Sequence, residues 1–205
     1  MLSSPTIFLI DDDPSVRRAL VRLIKSAGYQ VQTFVSAREF LDRMPEAKPA
    51  CLVLDVRLPG LSGIDLQQEL QRTNLILPII FITGHGDIPM TVKAMKAGAV
   101  DFLSKPVRDT DLLRAIEQAL ARAIYDRAQW DVAKTIQTRV EKLTPREREV
   151  MSLVIKGWLN KQIAFELGIG EKTIKVHRSR VMEKMEVDSV AELVRLAERA
   201  EMRKR

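Results

Sequence analysis

Five short apolar segments alternate with five segments of helical periodicity over the first 120 residues. The apolar segments, of which the first four contain β-branched residues, are Thr6 to Ile10, Val31 to Val35, Cys51 to Leu54, Ile79 to Ile82 and Phe102 to Leu103. Between them, apolar residues recur at the spacing of one helix face, as from Val16 to Ala27 before Gly28. This alternation predicts an α/β fold, a doubly wound (βα)5 domain whose parallel sheet is covered by helices on both faces.

The residues after this domain change in character. Between Ala121 and Leu143 there is no glycine or proline, and charges of both signs alternate. We therefore predict a helical linker over residues 123–142, which separates a domain at 1–122 from a second one at 143–205. Two interpretations of the linker stay open: partial pairing with a second chain through Ile124, Trp130 and Val140, or a solvated charged helix without a partner.

Capping signals divide the C-terminal part into four helices. Thr144, Pro145 and Glu147 form a start signal, and Ser189 with Glu192 has the pattern of a capping box, as does Ser36 with Glu39 in the first domain. Asn160 is predicted to cap a short helix through Leu167, and a glycine turn then leads into a helix from Glu171 to Met185. Two helices joined by such a turn, inside an all-α unit, indicate a helix-turn-helix.

Charge is distributed unevenly between the two halves. Residues 1–120 carry 14 basic and 14 acidic side chains, whereas residues 121–205 carry 19 and 13, so the excess of six lies in the C-terminal part. This excess favours a polyanion-binding domain. No apolar run reaches the ~18 residues of a membrane span, and no signal peptide or intrachain disulfide is expected, since Cys51 is the single cysteine. We expect a cytoplasmic protein.

Carboxylates follow two of the predicted strands. Asp11 and Asp12 come after the first strand and Asp55 after the third, and these strands are neighbours at the switch point of a flavodoxin-like sheet. Clustered carboxylates are most simply held together by a hard divalent cation, and Mg²⁺ suits a site of few carboxylates. Asp13, which precedes Pro14, is instead expected to cap the first helix.

Two further strands end in groups that bind phosphate oxygens. The fourth delivers Thr83 and the fifth delivers Lys105 before Pro106. A hydroxyl, an ammonium and a metal around Asp55 can bind a phosphoryl group, if this aspartate acts as a nucleophile that forms an acyl phosphate.

Residues 5–122 resemble the receiver domain of two-component response regulators. The resemblance rests on the segments Ile10 to Asp13, Asp55 to Gly60, Thr83 to Asp87, Ala97 to Phe102 and Lys105 to Pro106. It implies that Asp55 is the phosphoacceptor. It also implies that Mg²⁺ is bound by the side chains of Asp12 and Asp55, by the backbone carbonyl of Arg57 and, largely through water, by Asp11. It further implies that Thr83, Lys105 and Phe102 form the switch and that the Lys105-Pro106 bond is cis.

Two residues near this site have open roles. Phe102 lacks a tyrosine hydroxyl, so a hydrogen-bonded form of the aromatic switch is excluded. His85 is interpreted either as a loop residue that packs beside the site or as a general base for removal of the phosphoryl group. By the resemblance, the chain accepts a phosphoryl group and is not an enzyme, with at most slow self-dephosphorylation.

The helix from Glu171 to Met185 separates into two faces at about 100° per residue. The apolar face is assigned to the core and consists of Ile174, Val181, Met182 and Met185. The opposite face suits the major groove of DNA and consists of Lys172, Lys175, Val176, Ser179 and Glu183. Flanking residues are expected at phosphates: Thr173, His177, Arg180 and, from the preceding helix, Lys161. The Arg178 head is expected to pair with a carboxylate or a phosphate.

Residues 143–201 resemble the LuxR-type DNA-binding domain. The segments that carry this resemblance are Leu143 to Glu147, Asn160 to Ala164 and Thr173 to His177. With the receiver, the chain looks like a FixJ-like transcriptional regulator. The resemblance implies four partners: a cognate sensor histidine kinase, double-stranded promoter DNA, RNA polymerase and, on phosphorylation, a second copy of the chain. Phosphorylation would then act through dimerisation, interdomain contacts or both.

Two functions of other classes compete with this interpretation. A phosphotransfer enzyme of the dehalogenase type also uses a strand-end aspartate with Mg²⁺, but it needs a second aspartate where this chain has Arg57. A protein-interaction module whose basic tail binds RNA or acidic partners would show no sequence-specific footprint on duplex DNA, although it would share the dependence on salt.

Overall fold

The computed structural model describes residues 4–44, 49–73, 75, 77–84 and 88–201, with side chains through residue 198. The chain divides into two compact units, Met1–Arg127 and Ala128–Arg205. In the described part of the chain, no helix is both long and apolar enough to cross a bilayer.

The first unit contains a parallel sheet. Its strands are β1 (Thr6–Ile10), β2 (Gln30–Phe34), β3 (Ala50–Asp55), β4 (Ile79–Thr83) and β5 (Asp101–Ser104). The order is β2-β1-β3-β4-β5, and every adjacent pair is parallel. This confirms the doubly wound sheet with β1 beside β3, and all carboxyl ends of the strands therefore lie along one edge.

Helices alternate with the strands and cover the sheet. They are α1 (Pro14–Ser26), α2 (Ala37–Asp42), α3 (Gly63–Arg72), α4 (Ile88–Lys96) and α5 (Asp109–Glu141). Successive strand residues face opposite sides of a sheet, so Phe8 and Ile10 lie in one apolar cluster with α2 and α3. Ile7 and Leu9 lie in the other, with α1 and α5. Burial on both faces explains why these strands read as continuous apolar runs.

The fifth helix and the predicted linker form one continuous helix, α5, of 33 residues. Of the three linker residues considered for pairing, Ile124 is 57% exposed. Trp130 is half-buried beneath Lys134, whose ammonium lies 4.9 Å from its ring centroid. Val140 packs against the core of the second unit. The three side chains therefore do not form a single exposed stripe, and pairing through the linker remains a prediction.

The second unit adds four helices to the end of α5. They are α6 (Pro145–Ile155), α7 (Asn160–Leu167), α8 (Glu171–Met185) and α9 (Val190–Glu201). Their shared core also includes Ile136 and Leu143, which are 2% and 3% exposed. The predicted boundary at residue 143 would leave Ile136 outside this core, and the domain boundaries remain a prediction.

The capping predictions succeed in part. Thr144 and Glu147 form the expected reciprocal box at the start of α6. The Ser36 hydroxyl accepts from the Glu39 N–H as expected, but the Glu39 carboxylate accepts from the N–H of Val35, one residue earlier than the box requires. Glu192 repeats this arrangement with Asp188.

The cap predicted at Asn160 is wrong. The N-cap of α7 is Leu159, whose N–H donates to the side chain of Gln162. Asn160 is the first residue of the helix, and its amide oxygen accepts from Nη1 of Arg178 in α8 at 2.9 Å. Arg178 thus pairs with an amide of its own unit, because α7 and α8 bring these two polar groups together. The sequence had predicted a carboxylate or a phosphate as its partner.

Candidate functional site

The three predicted carboxylates converge at the edge of the sheet. Asp55 ends β3, and Asp11 and Asp12 follow β1, whose last residue, Ile10, is paired with Leu54. One carboxylate oxygen from each aspartate lies within 4.8 Å of the others. Asp11 is fully buried and Asp55 is 5% exposed, whereas Asp12 is exposed. A cluster of hard oxygen donors, open to solvent on one side, fits a Mg²⁺ ion that retains water.

Lys105 joins the two buried carboxylates. Its Nζ donates to Oδ2 of Asp11 at 2.8 Å and to Oδ2 of Asp55 at 2.5 Å. Burial lowers the pKa of Lys105, but these hydrogen bonds and charges outweigh burial and leave the pKa raised. For Asp11 burial is the largest effect, so its pKa is raised although Lys105 opposes this. Lys105 therefore stays protonated and offsets the repulsion between the aspartates.

Backbone contacts fix the other oxygen of Asp55. Its Oδ1 accepts from the N–H of Arg57 at 2.9 Å. The turn behind it is closed by the N–H of Gly63, which donates to the Val56 carbonyl at 3.0 Å. A Cβ on Gly63 would overlap the carbonyl oxygen of Asp55. Arg57 contacts the site through its N–H, and its carbonyl remains a predicted ligand.

The predicted switch residues lie on β4, on β5 and just after β5. Thr83 ends β4 and is 1% exposed. Phe102 is half-buried, with its ring centroid 6.0 Å from that of Phe81. The Lys105-Pro106 peptide bond is cis, as predicted. His85 lies outside the described residues.

Asp13 caps α1 as predicted, because its carboxylate accepts from the N–H groups of Ser15 and Val16. Arg17 was not singled out from the sequence, although its guanidinium donates to the carbonyls of Asp11 and Asp12. An arginine in the first turns of a helix is common, so its identity alone carries no signal.

The polar face of α8 is open to solvent. Val176 is 46% exposed, and the exposed polar residues of the predicted interface are Lys161, Lys172, Thr173, Lys175, Ser179 and Arg180. His177 is half-buried, and its Nδ1 has no hydrogen-bond partner among the described residues. The opposite face packs into the core through Ile174, Val181 and Met185.

A buried ion pair, missed from the sequence, holds α8 against α6. Glu147 is 1% exposed. Its carboxylate accepts from Nζ of Lys184 at 2.7 Å and from the N–H of Thr144 at 2.8 Å. The Lys184 hydrogen bond is the main reason that the pKa of Glu147 is lowered to about 2. The pair therefore fixes the last turns of α8 on the domain core.

Two family matches account for both units. Residues 7–117 match the family described as the response regulator receiver domain. Residues 141–197 match the bacterial regulatory proteins of the luxR family. The chain belongs to the response regulators with a LuxR-type DNA-binding domain. It is thus a component of two-component signalling that regulates transcription.

Several known proteins are similar to this response regulator over both of its units. Nodulation protein W of Bradyrhizobium diazoefficiens is 53% identical over 192 residues, which are 94% of this chain and 85% of that protein. FixJ of the same species is 46% identical over 202 residues, 98% of each chain. The solved structure of response regulator StyR has 49% identity and a TM-score of 0.78, covering 96% of this chain and 99% of that chain.

Proposed function

We propose that a cognate sensor histidine kinase transfers a phosphoryl group to Asp55 and that this transfer controls promoter binding by α8. The observation that carries the proposal is the placement of the Asp55 carboxylate between Lys105 and the aspartates of the β1 edge. In the transfer, the N–P bond of the kinase phosphohistidine breaks and an O–P bond to Asp55 forms.

The residues of the pocket have separate tasks. Lys105 offsets the negative charge that accumulates around Asp55, and the Arg57 N–H orients the carboxylate. Mg²⁺ would be held by Asp11, Asp12, Asp55 and the Arg57 carbonyl, and it would supply charge neutralisation for the incoming phosphoryl oxygens. Thr83 would donate its hydroxyl to one of these oxygens.

The added charge of about −1.5 to −2 provides the signal. Thr83 and Lys105 move toward the phosphoryl group, and the half-buried ring of Phe102 swings inward with Thr83. The nearby face of α4 carries Val92 and Met95, which are 45% and 43% exposed. Repacking of this face favours a homodimer that presents two recognition helices to two half-sites.

In the dimer, α8 enters the major groove. Lys172 and Lys175 reach guanine acceptors, and Val176 contacts a thymine methyl group. Phosphates are contacted by Lys161, Thr173, His177 and Arg180. A protein that binds promoter DNA works in the bacterial cytoplasm, and RNA polymerase is the partner through which it would alter transcription.

Phosphoryl transfer is tested by labelling Asp55→Asn with a radioactive phosphodonor. We expect the substitution to abolish uptake and to preserve the fold, because the amide keeps the shape of the carboxylate and lacks its nucleophilic charge. Asp13→Asn is the matched control, since Asp13 caps α1 and should leave labelling intact. Stoichiometric labelling of Asp55→Asn would overturn the assignment.

Dimerisation is tested by gel filtration with light scattering, with and without beryllofluoride and Mg²⁺, which together mimic the acyl phosphate. We expect a monomer that dimerises only with the mimic. A monomer under both conditions would contradict phosphorylation-driven dimerisation, and a constant dimer would direct attention to α5.

A further inference from the structure

The guanidinium of Arg17 donates hydrogen bonds to the carbonyl groups of two consecutive aspartates, Asp11 and Asp12. Its Nη1 donates to the Asp11 carbonyl at 2.7 Å and to the Asp12 carbonyl at 3.0 Å. The backbone N–H of Arg17 also donates to the Asp13 carbonyl at 3.0 Å, but this is the first main-chain hydrogen bond of α1, which any residue at this position would form. The side chain of Arg17 thus holds the part of the loop that directly follows β1.

The guanidinium binds the main chain and leaves the carboxylates to other groups. Asp11 is occupied by Lys105 and by the N–H of Asp13. Among the residues that the structure describes, the Asp12 carboxylate has neither a hydrogen bond nor an ion pair. Arg17 therefore orders the loop through its backbone. It does not contact the Asp12 carboxylate, which stays available to a cation.

Such an arrangement has two opposing effects on a divalent cation. Three consecutive aspartates repel one another, so a loop without its anchor would spread before a cation arrives and would lose order that binding must restore. The positive charge of Arg17, in contrast, repels the cation through solvent, and salt screens this repulsion. Hydrogen bonds to carbonyl groups are not screened in this way.

We propose that Arg17 is a positioning residue of the cation site: its guanidinium holds Asp11 and Asp12 in their binding geometry through their two carbonyls, and this outweighs its charge repulsion. The proposal rests on the proposed function of the acidic pocket as a divalent-cation site. It assigns a role in cation affinity to a residue that offers no ligand atom.

The test is a titration of the full-length protein with Mn²⁺, in which electron paramagnetic resonance measures the free ion. Outer groups that orient metal ligands typically contribute about 10–100-fold to affinity, so we expect Arg17→Ala to weaken Mn²⁺ binding about tenfold. Arg18→Ala is the matched control. It removes the same charge from the next position of α1, and Arg18 is exposed and donates only to Ser15 among the described residues.

Arg17→Lys separates positioning from charge and guards against a folding defect in the alanine variant. Lysine keeps the charge and lacks the guanidinium, so positioning predicts weaker binding than in the unaltered protein. The deficit of both variants should persist at high salt. Thermal unfolding without metal shows whether each variant is folded.

Three results would overturn the proposal. Equal or tighter binding by Arg17→Ala would mean that charge repulsion dominates. Unchanged binding by Arg17→Lys would show that the guanidinium contacts are not required. Absence of Mn²⁺ binding by the unaltered protein would overturn the cation site itself and the role of Arg17 with it, which distinguishes that failure from the other two.

Discussion

At the scale of single residues, each unit contains a buried charge held by an opposite one. In the first, the Lys105 ammonium lies between Asp11 and Asp55. In the second unit, the buried Glu147 carboxylate forms an ion pair with the Lys184 ammonium. Removing one member of such a pair leaves the other buried without compensation, which costs more than the pair itself contributes.

Gly63→Ala should disturb both the sheet and the acidic pocket. The added Cβ would overlap the Asp55 carbonyl oxygen, and overpacking of this kind costs about 1–3 kcal/mol. We expect weaker protection of β3 amides in hydrogen exchange, and reduced phosphoryl uptake because Asp55 is displaced.

Gly84→Ala is the control for this substitution. Gly84 follows Thr83 at the same edge of the sheet, and a Cβ there meets no atom within 4 Å. It should change stability by less than about 0.5 kcal/mol. Equal effects of the two alanines would contradict the steric explanation.

Glu147 should make the second unit sensitive to acid. Its pKa is lowered from 4.5 to about 2, so its stabilising contribution is complete above pH 4.5 and is lost as pH falls toward 2. Glu147→Gln should reduce the free energy of unfolding at pH 7 by about 1.5–3 kcal/mol, the range for hydrogen bonds to charged groups. The deficit should shrink as the pH falls toward 2. Both tryptophans lie in the second unit, so their fluorescence follows its unfolding.

Glu149→Gln provides the comparison. The Glu149 side chain is 53% exposed and pairs with Arg146 on the helix surface, an interaction that contributes about 0–1 kcal/mol. Its pH profile should match that of the unaltered protein. A Glu147→Gln profile of the same shape would show that this carboxylate does not cause the acid sensitivity.

At the scale of helices and strands, the sequence predicts which element forms better than it predicts the contact that ends it. The parallel strands are recognisable because burial on both faces selects an unbroken apolar run. The carboxylates of Glu39 and Glu192 each accept from the N–H of the residue before the N-cap, and not from the N–H of the N-cap itself. The side chain of Asn160 accepts a hydrogen bond from Arg178, a residue of another helix. Such choices depend on tertiary contacts that local spacing does not contain.

The length of α5 leads to a prediction about two of its isoleucines, one at the middle of the helix and one near its C-terminal end. Ile136, near the C-terminal end, is 2% exposed within the core of the second unit, whereas Ile124 is 57% exposed. Ile136→Ala should destabilise that unit by about 2–5 kcal/mol, the usual cost of an isoleucine cavity. Ile124→Ala, the same change on the same helix, should cost less than about 0.5 kcal/mol. Urea unfolding followed by circular dichroism measures both, and equal costs would contradict the assignment of Ile136 to the domain core.

At the scale of the whole molecule, the acidic pocket was predictable because topology alone assembles it. The order of strands in a doubly wound sheet places the ends of β1 and β3 together, so Asp11, Asp12 and Asp55 could be combined from the sequence. The roles of Arg17 and Gly63 could not be predicted. The Arg17 guanidinium binds main-chain carbonyls, and Gly63 packs against the carbonyl oxygen of Asp55. Both contacts depend on the path of the backbone, which neither residue type indicates.

The charge asymmetry of the molecule leads to a prediction about DNA binding. Arg180 is exposed on the polar face of α8, and each phosphate contact contributes about 0.9 to the slope of log affinity against log salt. Arg180→Gln should therefore weaken binding to all duplexes alike and reduce that slope by about 0.9. Fluorescence anisotropy over a range of salt concentrations measures both quantities.

Two further variants show whether this loss belongs to the proposed interface. Arg195 is an exposed cation of the same unit on α9, and Arg195→Gln should leave the slope unchanged if charge acts through contacts and not through the overall excess. Val176→Ala should alter the preference among operator sequences at constant slope, because an apolar contact reads a thymine methyl and releases no counterion. Equal slopes for Arg180→Gln and Arg195→Gln would contradict the phosphate contact assigned to Arg180. An unchanged operator preference of Val176→Ala would contradict the assignment of α8 as the recognition helix.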